Sequence, residues 1–384
     1  MREKELRLAL VCFGGVSLAI YIHGVSKEVL KLARASKAIH ASPDPNDLSR
    51  TTYIYPNKNV TDVPDTEHIY FEILKSFYPE LDLRVIVDTI AGASAGGMNS
   101  VFLGRAIAHD LNFDHLRHHW LIEADVTNLK GSKKKAGQWG RLITKPIINI
   151  LSGKFLGNGA LSKKVKEKLP ALLNIWDLKP PFDGKHLLGL VYGGLKAMGK
   201  ISGHSLLPRG HKLELFVTLT DFYGYKRTIL INDPPFITEL EHRHNLKFGY
   251  IKRTTNDRNT IVESDFDDKD LPSLSFAARA TSCFPGAFPP AQLRETDHFL
   301  RERNLTWSTK AAFLESNFKE YSRAGINPEL TSFLDGSILN NKPFAQAIEA
   351  IRDRPAFREV NRRIIYIDPN PEKLKGRPTG APPA

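Results

Sequence analysis

Residues 85–108 read VIVDTIAGASAGGMNSVFLGRAIA, a β-branched apolar run followed by residues that can all enter a helix. The joint between the two is Gly92-Ala93-Ser94-Ala95-Gly96, five small residues with a hydroxyl at the centre. A strand that becomes a helix across so short a joint lies in a sheet against which that helix packs, so the chain is expected in the α/β class. Small residues on either side of Ser94 admit a sharp turn that lifts the serine oxygen above a helix N-terminus, where the backbone dipole favours developing negative charge. A plain small-residue turn produces the same pentapeptide. The rest of the chain has to choose between a nucleophile and a turn.

Strand and helix patterns alternate elsewhere too. Residues 6–13 (LRLALVCF) read as a buried first strand ending at Gly14-Gly15. From Ser17 to Ala35, Leu18, Ile22, Val25, Val29 and Leu32 recur at helical spacings of three and four. Residues 41–66, rich in Pro, Asn, Asp, Ser and Thr, read as a surface loop, and EHIYFEILKSFY after them as a helix. Residues 212–231 (KLELFVTLTDFYGYKRTILI) alternate like two strands around a turn at Gly224. SLSFAARATSCFPGAFPP reads as a helix of small residues broken by Pro285, TSFLDGSILNNKPFAQAIEAI as strand, Asp-Gly turn and helix, and RRIIYIDPNP as a last strand. Such alternation predicts a mostly parallel sheet covered on both faces, a three-layer α/β/α arrangement. Active groups in these folds gather beyond the carboxyl ends of the strands. Gly14-Gly15, Gly92–Gly96 and Asp335-Gly336 all occupy that kind of position.

The 384 residues fit one large domain, 1–368, with a Pro/Gly-rich flexible tail at 369–384. Residues 126–212 differ in character: KGSKKKAGQWGR and SGKFLGNGALSKKVKEK are basic and glycine-rich, with helical stretches such as HLLGLVYGGLKAM beside them. They read as a basic helical insertion or cap. A net charge of +12 favours anionic partners. Lys130, Lys133, Lys134, Lys135, Lys163, Lys164, Lys166 and Lys168 would each add about 1 kcal/mol of attraction near an anionic bilayer, although such a run also serves as a solvated loop. No nucleic-acid module accompanies the lysines, so nucleic acid is not an expected partner. Cys12 and Cys283 make no disulfide or metal framework, which points to a reducing, cytoplasmic setting. Glu3 and Glu5 speak against a signal peptide, and no apolar run reaches the roughly 18 residues that span a bilayer.

A serine nucleophile needs a base. Histidine is a poor candidate here. His118 and His119 fall in a polar helical stretch, His242 and His244 in what reads as a surface loop lacking a third metal ligand, and no histidine follows Asp335. Asp335 follows the short strand TSFL and precedes Gly336, so its carboxylate stands at a strand end, as Ser94 does. A partly desolvated carboxylate bonded to the serine hydroxyl can act as general base. Taken alone, Asp335-Gly336 is an ordinary turn.

Five blocks in order, LALVCFGGVSLA, IAGASAGGMN, VTLTDFYGYKR, AARATSCFPGAFPP and LDGSILNNKP, resemble those of the patatin-like phospholipases, a Ser–Asp dyad family of lipid acyl hydrolases. The first block looks most like a bacterial patatin-related subgroup. The resemblance implies Ser94 as nucleophile, Asp335 as base, Gly92 and Gly96 as the flanks of the elbow, and backbone amides of Gly14, Gly15 and Val16 as the oxyanion hole. It implies a phospholipid or other acyl-ester lipid as substrate; the basic insertion suits peripheral contact with an anionic membrane, and a Ser–Asp scheme requires no metal or organic cofactor. The family's Asp-Gly-Gly-Gly-x-Arg-Gly segment is here Phe13-Gly14-Gly15-Val16-Ser17-Leu18-Ala19, without the third glycine, the arginine and the last glycine. Ser337 stands where glycine or alanine is usual. A lost oxyanion donor lowers turnover on the order of 100- to 1000-fold. A catalytically impaired patatin-like domain that binds membranes or partners is therefore the alternative expectation.

Overall fold

The computed structural model describes residues 2–15, 19–41, 65–114 except 79, 116, 182–254, and 259–368 except 353 and 357. Val16, the histidines at 118 and 119, most of the basic insertion with all eight lysines named above, and the tail lie outside the described residues. The elements in chain order are β1 (Arg2–Cys12), α1 (Ala19–His40), α2 (Thr66–Phe77), β2 (Leu81–Gly92), α3 (Ser94–His109), α4 (Gly184–Ala197), β3 (Lys212–Leu230), β4 (Phe236–Thr254), β5 (Thr260–Ser264), α5 (Leu271–Thr281), α6 (Leu293–Arg301), α7 (Lys310–Asn317), α8 (Lys319–Arg323), β6 (Phe333–Asp335), α9 (Ser337–Asn340), α10 (Phe344–Ala350) and β7 (Glu359–Ile367).

The strands form one sheet in the order β5-β4-β3-β2-β1-β7, with β6 added to β3. The centre, from β3 through β2 and β1 to β7, is parallel, whereas β4, β5 and β6 join antiparallel. Side chains alternate along β1: Leu8, Leu10 and Cys12 enter the larger core with α1 and α3, while Val11 and Phe13 meet Phe344 and Ala347 of α10 on the opposite face. A core on each face is why this strand reads as an unbroken apolar run. Helix α3 is buried along its whole length, and its many Gly, Ala and Ser positions let neighbouring backbone come close. Among the described residues no helix is long and apolar enough to cross a membrane.

Three sequence expectations are corrected. Residues 212–230 form one strand, not two around Gly224. The pairing with β4 shifts between Thr220 and Tyr225, so the chain bulges there and reverses only after Leu230. Asp221 Oδ1 accepts the amides of Tyr223 and Gly224 (2.9 and 3.0 Å), and Gly224 adopts φ +72°, with the His242 ring 2.9 Å from where a β-carbon would stand. His242 and His244 consequently sit in β4, not in a loop. His244 is buried against Phe318 (centroids 4.7 Å apart), and burial pushes its pKa down to about 3, so it is a neutral core residue. The first helix continues past Ala35 to His40, because Ser36 and Ile39 carry its buried face onward.

Candidate active site

Gly92 ends β2 and Ser94 opens α3, so the joint is a strand–helix elbow. Ser94 has φ +53°, a left-handed backbone that costs a non-glycine residue about 1–3 kcal/mol. The surroundings hold it there. The Ala93 amide donates to the Cys12 carbonyl (3.1 Å), the Ser94 amide to Thr281 Oγ1 (2.9 Å), and the Ser282 hydroxyl to the Ser94 carbonyl (3.3 Å). Thr281 in turn donates to the Thr218 carbonyl (2.8 Å), linking the elbow to β3. A β-carbon at Gly96 would stand 2.3 Å from the Cys12 carbonyl oxygen, so glycine is needed here for space. Thr281→Val removes both bonds of that hydroxyl. It is expected to cost about 1–3 kcal/mol of stability by urea titration and to lower kcat on the order of 10-fold with little change in KM.

Asp335 ends the three-residue β6, which pairs with β3 past the point where β2 stops, Leu219 facing Asp335. Its amide donates to the Cys283 carbonyl (3.1 Å), and Thr220 Oγ1 donates to its carbonyl (2.9 Å). The carboxylate is fully buried and its two oxygens divide the work. Oδ1 accepts the Ser337 amide (2.8 Å), closing a local turn, and Oδ2 accepts the Ser94 hydroxyl at 2.7 Å across 241 positions of sequence. The turn and the dyad contact are thus both present. Burial raises the Asp335 pKa to about 6 against the opposing pull of the Ser94 and Ser337 hydrogen bonds. The result is a serine hydroxyl at a helix N-terminus, bonded to a carboxylate of raised proton affinity. Neither thiol competes with it, because burial pushes Cys12 and Cys283 up to about 11.

The glycine segment differs from its sequence expectation in one respect. Gly14 lies against the elbow: a β-carbon on it would stand 2.8 Å from Ser94 Cβ and 2.9 Å from Ser337 Cβ. Its amide, however, donates to Asn341 Oδ1 at 2.7 Å, and Ser94 is only 1% exposed. Oxyanion donation from Gly14 therefore requires that amide to exchange the asparagine oxygen for the substrate oxygen. Gly15 follows half-buried, and Val16 lies outside the described residues.

Residues 69–348, more than half of the chain and including both Ser94 and Asp335, match the profile of the patatin-like phospholipases. The chain belongs to that family. In this patatin-like domain the departures at residues 13–19 precede the matched region, whereas the serine and aspartate blocks fall within it. An uncharacterized membrane protein of Mycobacterium tuberculosis is 26% identical over 372 residues, which cover 96% of this chain and 28% of that protein. The patatin-like chain thus spans less than a third of this relative's length. No solved structure matches.

Four groups at the patatin-like site have no role in the sequence reading: Thr218, Thr281, Ser282 and Asn341. All four residues stand inside the quoted blocks, but what each does depends on a partner far away in sequence. Thr281 is 187 positions from Ser94, and Asn341 is 327 from Gly14. The blocks bring these residues to notice, but no local pattern shows which distant group each of them bonds.

Proposed function

We propose that this patatin-like domain hydrolyses acyl esters of membrane lipids, with Ser94 as nucleophile and Asp335 as general base. The single observation that carries the reading is the 2.7 Å bond from Ser94 Oγ to the buried Asp335 Oδ2. As Oγ attacks an ester carbonyl, Asp335 takes its proton. The tetrahedral oxyanion is met by backbone amides of Gly14, Gly15 and Val16 and by the N-terminal end of α3. The alcohol leaves with the proton, and water activated by the same carboxylate then releases the fatty acid from Ser94. A lipid substrate also suits the net charge of +12 and a relative that is called a membrane protein.

A fluorophosphonate serine probe together with a panel of phospholipids and neutral acyl esters tests this. Wild-type protein is expected to take up the probe and release fatty acid. Ser94→Ala is expected to lose labelling and at least ~10⁴-fold in turnover. A wild type that neither labels nor hydrolyses any member of the panel would favour the binding-module alternative, which the altered oxyanion segment and the engaged Gly14 amide support.

A further inference from the structure

Beyond the bulge at Gly224, β3 and β4 leave the body of the sheet as a two-stranded ribbon. Nearly every residue from 226 to 238 is exposed, although such a ribbon is marginal in water on its own. Its end is apolar. Ile229 faces Ile237 and Leu230 faces Phe236 across the ribbon, and the Ile231 amide closes the reversal onto the Pro235 carbonyl (3.1 Å). Leu230 is 83% exposed and Phe236 57%, with Ile231 and Ile237 near 40% beside them. Isolated exposed apolar residues are ordinary, but four on one projecting end mark an interaction surface.

The charges sit at the root. Lys226 and Arg227 on β3 and Glu239, Glu241 and Arg243 on β4 follow directly behind the apolar end, and Asp233 in the reversal is the exception. Arg227 and Arg243 both pair with Glu241 (3.6 and 2.8 Å). Lys226 stands opposite Leu240, on the face that carries Leu230 and Phe236, with no carboxylate partner among the described residues. The ribbon also leaves the sheet at the dyad's end. Val217 pairs with Gly92 and Leu219 with Asp335, and from the Leu219–His244 pair the ribbon runs on to the Leu230–Phe236 pair, at most about 26 Å along β4 at ~3.3 Å per residue.

We propose that the 229–237 tip inserts into a lipid bilayer and so turns the Ser94 end of the sheet toward the membrane. The proposal rests on the reading of the domain as a lipid hydrolase. The order along the ribbon selects the partner: two or three apolar residues per strand span about 7–10 Å, the depth of the headgroup–acyl boundary, and, Asp233 in the reversal apart, charge begins where headgroups begin. The chain's +12 complements anionic lipid, and Lys226 can extend to a headgroup while its stem lies along the apolar face.

Sedimentation with vesicles of phosphatidylcholine, with and without phosphatidylglycerol, tests this on the full chain. The double variant Leu230→Ser/Phe236→Ser is expected to bind both vesicle types on the order of 30- to 100-fold more weakly while hydrolysing a soluble short-chain ester at the wild-type rate. Binding equal to wild type overturns the proposal. So does a ribbon-dependent dimer with no vesicle binding, which would make a second copy the occupant. Should the double variant fail to fold, Phe236→Cys carrying an environment-sensitive dye decides: a blue shift on adding vesicles supports insertion, and an unchanged spectrum overturns it. Vesicle binding is also measured on Ser94→Ala, where it needs no turnover. Ribbon-dependent binding by a protein that hydrolyses nothing would retire the hydrolase reading and keep the docking element, whereas hydrolysis with ribbon-independent binding would do the reverse.

Discussion

Asp335→Asn is expected to lower ester turnover on the order of 10³- to 10⁴-fold and, near pH 8, to make the fold more stable. Both effects come from the same burial. The Asp335 pKa is raised to about 6 in the folded chain, against 3.8 as its ordinary value. Between those two values the folded state keeps a proton that the unfolded state has released, so stability falls as pH rises through that window and stays lower above it. At about 1.4 kcal/mol per unit, the ionised carboxylate costs the fold about 3 kcal/mol at neutral pH. Asparagine is uncharged at every pH and can still accept the Ser337 amide through Oδ1. Urea titrations should show the variant more stable than wild type near pH 8, with the gap closing toward about pH 4. In wild type, kcat/KM should climb through pH ~6 as the carboxylate ionises and becomes able to take the serine proton. A profile that stays flat from about pH 5 to 8 would reject Asp335 as the base.

Gly336→Ala is expected to disable the protein by a different route. A β-carbon there would stand 2.0 Å from the Thr218 carbonyl oxygen and 2.2 Å from its Oγ1. A carbonyl within a paired strand cannot swing aside as a long side chain can. That carbonyl also accepts the Thr281 hydroxyl, which in turn receives the Ser94 amide. Moving it disturbs the Asp335-Gly336 turn and the elbow together. The expected loss is at least ~3 kcal/mol in urea titration, with probe labelling of Ser94 largely gone. Gly193→Ala is the matched control. Gly193 lies within α4 with nothing inside 4 Å of an added β-carbon, so alanine there should leave activity intact and add about 0.5–1 kcal/mol of stability. Equal behaviour of the two variants would show that the crowding at Gly336 does not matter.

These two glycines also show how far a sequence can be read. Gly336 invites a reading as half of an Asp-Gly turn, a matter of backbone conformation. In the structure its φ is −65°, and glycine is required because Thr218 leaves no room for a side chain. Gly224, where the pattern predicts a strand reversal, does have the positive φ that a turn needs, yet it sits in a bulge. A preference for glycine states that something is unusual nearby. It does not say whether the cause is a dihedral angle or a neighbour. His244 makes the same point: its polar surroundings in EHRHN suggest a loop, while strand alternation turns its ring inward onto Phe318 and Tyr321.

The sequence alone determined the parallel α/β centre, the elbow at Ser94 and the candidacy of Asp335, because strand and helix periodicity and tight-turn chemistry are properties of neighbouring residues. Tertiary structure alone decided that the hydroxyl and carboxylate stand 2.7 Å apart, that Asn341 holds the Gly14 amide, and that the β3–β4 ribbon carries its apolar end past the sheet. Each of those depends on groups brought together from distant parts of the chain or on how far a strand outruns its partners, and short-range pattern carries no record of either.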